Sequence, residues 1–142
     1  MTRLLFVLAI LIEILPVQSA VAEGLLIIAN PSVQLTAPLS LKQVAAIYLL
    51  RTTVWPDGRH IVPVNREAAS EIRTKFTATV LKQDNSSLVT YWNEMHFQGK
   101  PPPLVQESEP AMLAFVQNVP GAVGYISAST QAVDVKVVAR VP

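Results

Sequence analysis

There is no cysteine anywhere in the 142 residues. That absence removes disulfide cross-links, thiolate metal sites and a cysteine nucleophile, and leaves no cysteine to carry a lipid anchor. An excess of one charge is lacking too. Eleven Lys and Arg against ten Asp and Glu leave a net charge of +1, which excludes a polybasic nucleic-acid binder and a disordered acidic tail. Histidine is scarce: His60 and His96 stand 36 positions apart, with no second histidine or carboxylate at ligand spacing on a shared helix, so no metal centre is expected. Ser127 and Ser129 lack a nucleophile-elbow context and no Ser-His-Asp set stands out, which argues against hydrolase chemistry. The chain therefore reads as a non-enzyme without a cofactor. An apolar run long enough to span a bilayer is also missing. Leu4 to Val17 is 14 residues, short of the roughly 20 that a spanning helix needs.

What is present falls into two parts. Residues 1–22 carry Arg3, that apolar run, and Ala20, Val21, Ala22 in a small-x-small arrangement, the pattern of a secretory signal peptide cleaved after Ala22. Glu13 interrupts the run. Residues 23–142 are expected to form one exported, periplasmic domain, large enough to bury close to two-thirds of its unfolded surface.

Within it, Leu25 to Ala29 is a continuous apolar stretch between Gly24 and Asn30, as suits a strand buried on both faces. Ser40 followed by Gln43 makes a capping box for a helix through Leu50. Trp55 to Gly58 is a turn, with a short strand from Ile61 to Val64 after it. Ile72, Phe76 and Val80 recur at four-residue intervals on the next helix, leaving Arg73, Lys75 and Thr79 on other faces. Asn85 or Ser86 is placed to cap a further helix through Trp92 and Met95. Pro101 to Pro103 enforces an extended segment. Ser108 caps a helix from Glu109 to Asn118 that tolerates Pro110 in its first turn. Pro120 and Gly121 turn into a strand from Ala122 to Ser127, and the last strand alternates with Val133, Val135, Val137, Ala139 and Val141 on one side. Trp55 and Trp92 are expected in the core. Strands alternating with helices predict an α/β sandwich around a small sheet.

Four stretches carry a resemblance. Arg66 to Phe76 keeps the framework R-x-x-x-S-x-x-R-x-x-F; Leu39 to Gly58 reads LSLKQVAAIYLLRTTVWPDG; Tyr91 to Pro103 reads YWNEMHFQGKPPP; Pro120 to Ser127 reads PGAVGYIS. In this order they resemble the periplasmic phosphate-binding proteins of ABC importers, with Leu50 where a glycine is usual. The resemblance implies a single lobe of a type II periplasmic binding protein, a small mixed sheet flanked by helices. It implies phosphate or a related oxyanion as ligand, with Arg66 and Ser70 in direct contact and Arg73 as a flanking positive charge. Glu71 stands where the family has a glycine, and its carboxylate, with that of Glu67, competes for the same positive end. The resemblance links the domain to transport or sensing, and the partner expected from exposed apolar surface is a membrane transporter or sensor, or a second copy in a homodimer. A lobe of this kind is expected to expose the apolar rims of its two crossing strands, Leu25 to Asn30 and Gly121 to Ser127. Hence the alternative of a periplasmic interaction module that has lost its ligand.

Overall fold

The computed structural model describes residues 23–142. The signal-peptide reading falls on residues 1–22, outside the described residues. Five strands form one sheet: β1 (Leu25–Ala29), β2 (Val62–Arg66), β3 (Leu104–Gln106), β4 (Ala122–Ser127) and β5 (Lys136–Val141), in the order β3-β2-β4-β1-β5. Strand β2 runs parallel to β3 and β4, whereas β1 is antiparallel to both of its neighbours, β4 and β5. Helices α1 (Leu41–Tyr48), α2 (Glu71–Phe76), α3 (Asn85–Phe97) and α4 (Glu109–Asn118) complete the α/β fold, and α2 runs on into a π-helix over Thr77–Leu81.

The period of two along β1 explains the layering. Leu25, Ile27 and Ala29 face a core with Val44, Ile47 and Tyr48 of α1 and Phe76 and Val80 of the α2–π segment. Leu26 and Ile28 face the opposite side, against Met112 and Val116 of α4. A strand clad by helices on both sides must be apolar at every position, and all five residues of β1 are buried. Aromatic side chains tie the first layer together. Phe76 stacks on Tyr125 at 4.1 Å and meets Tyr48 edge-on at 4.6 Å. The Tyr48 hydroxyl donates to the carbonyls of Val64 and Val123, at 2.9 and 3.3 Å, bridging β2 and β4.

Several expectations need correction. Helix α1 has the capping box at Ser40 and Gln43 but closes at Tyr48, because Leu50 takes a left-handed conformation with φ of 56°; the usual glycine of the resembling family would hold that conformation without strain. Neither Asn85 nor Ser86 caps α3: Asp84 does, its carboxylate accepting from the Ser87 amide at 2.7 Å. Strand β3 follows the three prolines where only extended chain was expected. The last strand starts at Lys136 instead of Val133, and its register against β1 shifts between Ile27 and Ile28. That irregularity turns Val138 inward, although the alternation put it on the outer side, and leaves Val137 39% exposed. Trp55 is buried, its indole N–H donating to the Gly121 carbonyl at 2.9 Å, but Trp92 is only half-buried. The crossing strands do not expose apolar rims, since every residue of β1 and β4 is buried and β5 covers the edge of β1.

Gly121 shows how tightly the β4 entry is built. Its φ is 79°, and a Cβ there would collide with the His60 carbonyl oxygen. Left-handed backbone costs a non-glycine residue about 1 kcal/mol, and overpacking against rigid backbone typically adds 1–3 kcal/mol. Gly121→Ala should therefore lower the unfolding free energy by about 2 kcal/mol or more in urea titrations. A loss below about 0.5 kcal/mol, the usual range of a surface change, would show that this entry relaxes freely.

Candidate functional site

Strand β2 delivers Arg66 to its own C-terminal end, where β4 also finishes. In sheets of this kind ligands gather outside the carboxyl ends of parallel strands. A tight turn follows, closed by the Ser70 amide donating to the Glu67 carbonyl at 3.0 Å, and α2 begins. The turn brings the predicted residues into one corner. Nη1 of Arg73 donates to the Arg66 carbonyl oxygen at 2.7 Å, so the two arginines are joined across the turn that Ser70 terminates. Ser70 is the N-cap of α2 by backbone geometry, yet its hydroxyl makes no capping bond. Glu71 is exposed in the first helical turn.

The Arg66 side chain is 10% exposed and is held on every side. Its amide donates to the Tyr125 hydroxyl at 3.1 Å, and that hydroxyl in turn donates to Asn65 Oδ1. Burial of the Tyr125 ring pushes its phenol up to about 12, so it stays a neutral donor at any physiological pH. The guanidinium forms a two-point pair with Glu67, Nε to Oε2 and Nη2 to Oε1, both at 2.9 Å. Its remaining nitrogen lies 3.8 Å from Oε2 of Glu109, the first residue of α4. Glu109 is itself positioned by the Ser127 amide at 2.9 Å and by the Thr130 hydroxyl.

A planar fork meeting two coplanar oxygens is the geometry by which arginine grips carboxylate and phosphate alike. Here the chain supplies those oxygens itself. Arg66 is paired with two carboxylates, Glu67 and Glu109, and the Arg73 charge also acts on Glu67. Of the residues that the family resemblance named, Arg66 and Arg73 are joined by the hydrogen bond across the turn, Ser70 stands at the start of α2, and Glu67, weighed as a competitor, pairs with Arg66. Sequence reasoning missed Glu109, Tyr125 and Asn65. Of these, Glu109 and Tyr125 lie more than 40 positions away in the chain, and no local pattern ties either to Arg66.

The same architecture occurs in solved proteins. A phosphate ABC transporter substrate-binding protein with bound phosphate from Clostridium perfringens matches at 24% identity with a TM-score of 0.64, over 82% of this chain. An ABC-type phosphate transport receptor from Vibrio cholerae matches at 26% identity and 0.63, again over 82%. The chain has the fold of phosphate ABC transporter substrate-binding proteins. PstS from Borrelia burgdorferi shares that fold at 14% identity and a TM-score of 0.58, over 75% of this chain. The chain spans under half the length of these phosphate-binding-protein structures: 44, 45 and 41% respectively. No protein-family model matches it, and no curated protein sequence does. No helix among the described residues is long and apolar enough to cross a membrane.

The Glu67 carboxyl sits below the ordinary carboxylate range, chiefly because of its hydrogen bonds from Arg66, then those from its own backbone, with the charges of Arg66 and Arg73 adding. A carboxyl depressed in the folded state contributes stability above its unfolded pKa and loses it as pH falls through the folded value. Glu67→Gln should accordingly flatten the fall in urea midpoint between about pH 5 and pH 3, the window around and below the ordinary Glu value. An unchanged acid slope would mean that the pair is not maintained in solution.

Proposed function

We propose that residues 23–142 form an exported, periplasmic solute-binding domain for phosphate or a related oxyanion, working with a membrane transporter or sensor. The observation that carries this reading is the Arg66 fork. A mostly buried guanidinium at the carboxyl end of a parallel strand, holding two oxygens of one planar group, is chemically an oxyanion grip. In this reading the Glu67 carboxylate stands in the position of the ligand. Two of the similar structures are named for phosphate, which makes that anion the first candidate. Arg66 and Ser70 would make the direct contacts, Arg73 would add positive charge, and Glu71 and Glu67 would hold the affinity down by like-charge repulsion.

Calorimetric titration of the purified protein with phosphate tests this. Binding should be weak in the natural sequence, lost in Arg66→Ala, and strengthened about tenfold or more in Glu67→Ala and Glu71→Gly, where a repelling charge is removed. If Arg66→Ala retains affinity within threefold, the site lies elsewhere. If none of the variants binds phosphate up to millimolar concentration, the solute-binding reading fails.

A second reading, an interaction module without a small ligand, is favoured by the apolar residues that remain in water. Phe97 is 90% exposed, and Leu104 and Val105 of the outer strand β3 are 54% and 50% exposed. Large apolar side chains left in water on an outer strand are the kind of surface an interface would cover. Light scattering separates the readings: concentration-dependent dimerisation abolished by Phe97→Ser favours the module, and a strict monomer removes the self-association form of it.

A further inference from the structure

A groove lies between the α2–π segment and α3, with Arg73 among its lining residues. It encloses about 660 Å3, within the roughly 300–1,000 Å3 typical of small-molecule sites and far more than one phosphate fills. Ala68 and Arg73 line it on the α2 side, and Trp92 and Asn93 on the α3 side.

The groove is chemically divided. Arg73 uses a single donor on the Arg66 carbonyl, which fixes the direction of its guanidinium and leaves the rest of the fork for an anion. Trp92 is half-buried and lies edge-to-face on Tyr91, with ring centroids 5.1 Å apart at 78°. The Tyr91 hydroxyl donates to the Leu49 carbonyl, so the indole is braced from behind while one side of it borders the groove. Gln83, Asn85 and Asn93 line the same space; a primary amide offers donors and an acceptor together, the combination that sugar hydroxyls need. The Asp84 carboxylate is also on the wall but is engaged at the start of α3 by the Ser87 amide at 2.7 Å and the Ser86 hydroxyl at 2.9 Å. Thr77 and Ala78 of the π-helix form part of the wall. Such wide turns are rare and recur at functional sites.

We propose that this groove binds a phosphorylated sugar, with the phosphate on Arg73, the apolar face of the ring against Trp92 and the hydroxyls on the amides. The inference goes beyond the oxyanion reading, since it places the phosphate on Arg73 instead of Arg66 and names a phosphoester instead of an inorganic anion. No bond is made or broken.

Glucose 6-phosphate, glucose and inorganic phosphate serve as probes, followed by calorimetry and by tryptophan fluorescence. Only Trp55 and Trp92 emit, and Trp55 is buried, so a ligand on Trp92 reports directly. The phosphoester should bind about tenfold or more tighter than either fragment and quench the emission. Trp92→Ala should weaken the phosphoester about tenfold while leaving inorganic phosphate within twofold. Asn93→Asp, at an exposed position where the fold makes little demand, should weaken the phosphoester similarly through added negative charge. Equal affinity for phosphoester and inorganic phosphate, or phosphoester affinity unmoved by both variants, overturns the proposal. Inorganic phosphate bound without the phosphoester overturns the groove and leaves the oxyanion reading standing. The phosphoester bound without inorganic phosphate supports the groove and removes the Arg66 corner as an independent anion site.

Discussion

One guanidinium fixes the functional end of this molecule. Arg66 is mostly buried, and a buried cation is tolerable only when its charge is matched and its donors are satisfied. Glu67 and Glu109 match it, one from the adjacent turn and one from the start of α4. Because Glu109 is anchored in turn on the end of β4, the pairing of one side chain joins β2, the turn into α2, α4 and β4. The corner is consequently rigid, and its electrostatics are set by this exchange of charges more than by the dipole of a six-residue helix.

Much of the fold was legible because it follows from local chemistry. The buried run of β1, the capping box of α1, the Ser108 cap and Pro110 entry of α4, and the Phe76 and Val80 contacts of the α2–π segment all stand where period and cap chemistry put them. Two of the failures share a cause, dependence on a partner strand. Val138 was misassigned because a register shift against β1 breaks a period of two that the sequence keeps intact, and such a shift depends on the partner strand. Strand β3 escaped notice since three residues beside a proline run earn strand geometry only by pairing with β2. Asp84 outcompeted Asn85 and Ser86 by one or two positions, a boundary that propensity resolves poorly.

The site was half legible for the same reason. Arg66, Ser70 and Arg73 are sequence neighbours on a strand-turn-helix unit, and the family resemblance named them together. The state of Arg66 was not, because it depends on Glu109 and Tyr125, which reach it only through the sheet order. The fold carries the likeness to phosphate receptors; the side chains decide what is gripped.

Strand β3 has a consequence for solubility. It is an outer strand with apolar side chains, the arrangement that invites chains to stack edge to edge. Yet it offers only three residues for pairing, and Pro101, Pro102 and Pro103 before it carry no amide hydrogen. A foreign strand cannot zip onward past that point, so fibre growth from this margin is blocked even while Leu104 and Val105 remain sticky. Any association there must be side chain against side chain, which is reversible and selective where a backbone ladder would be neither.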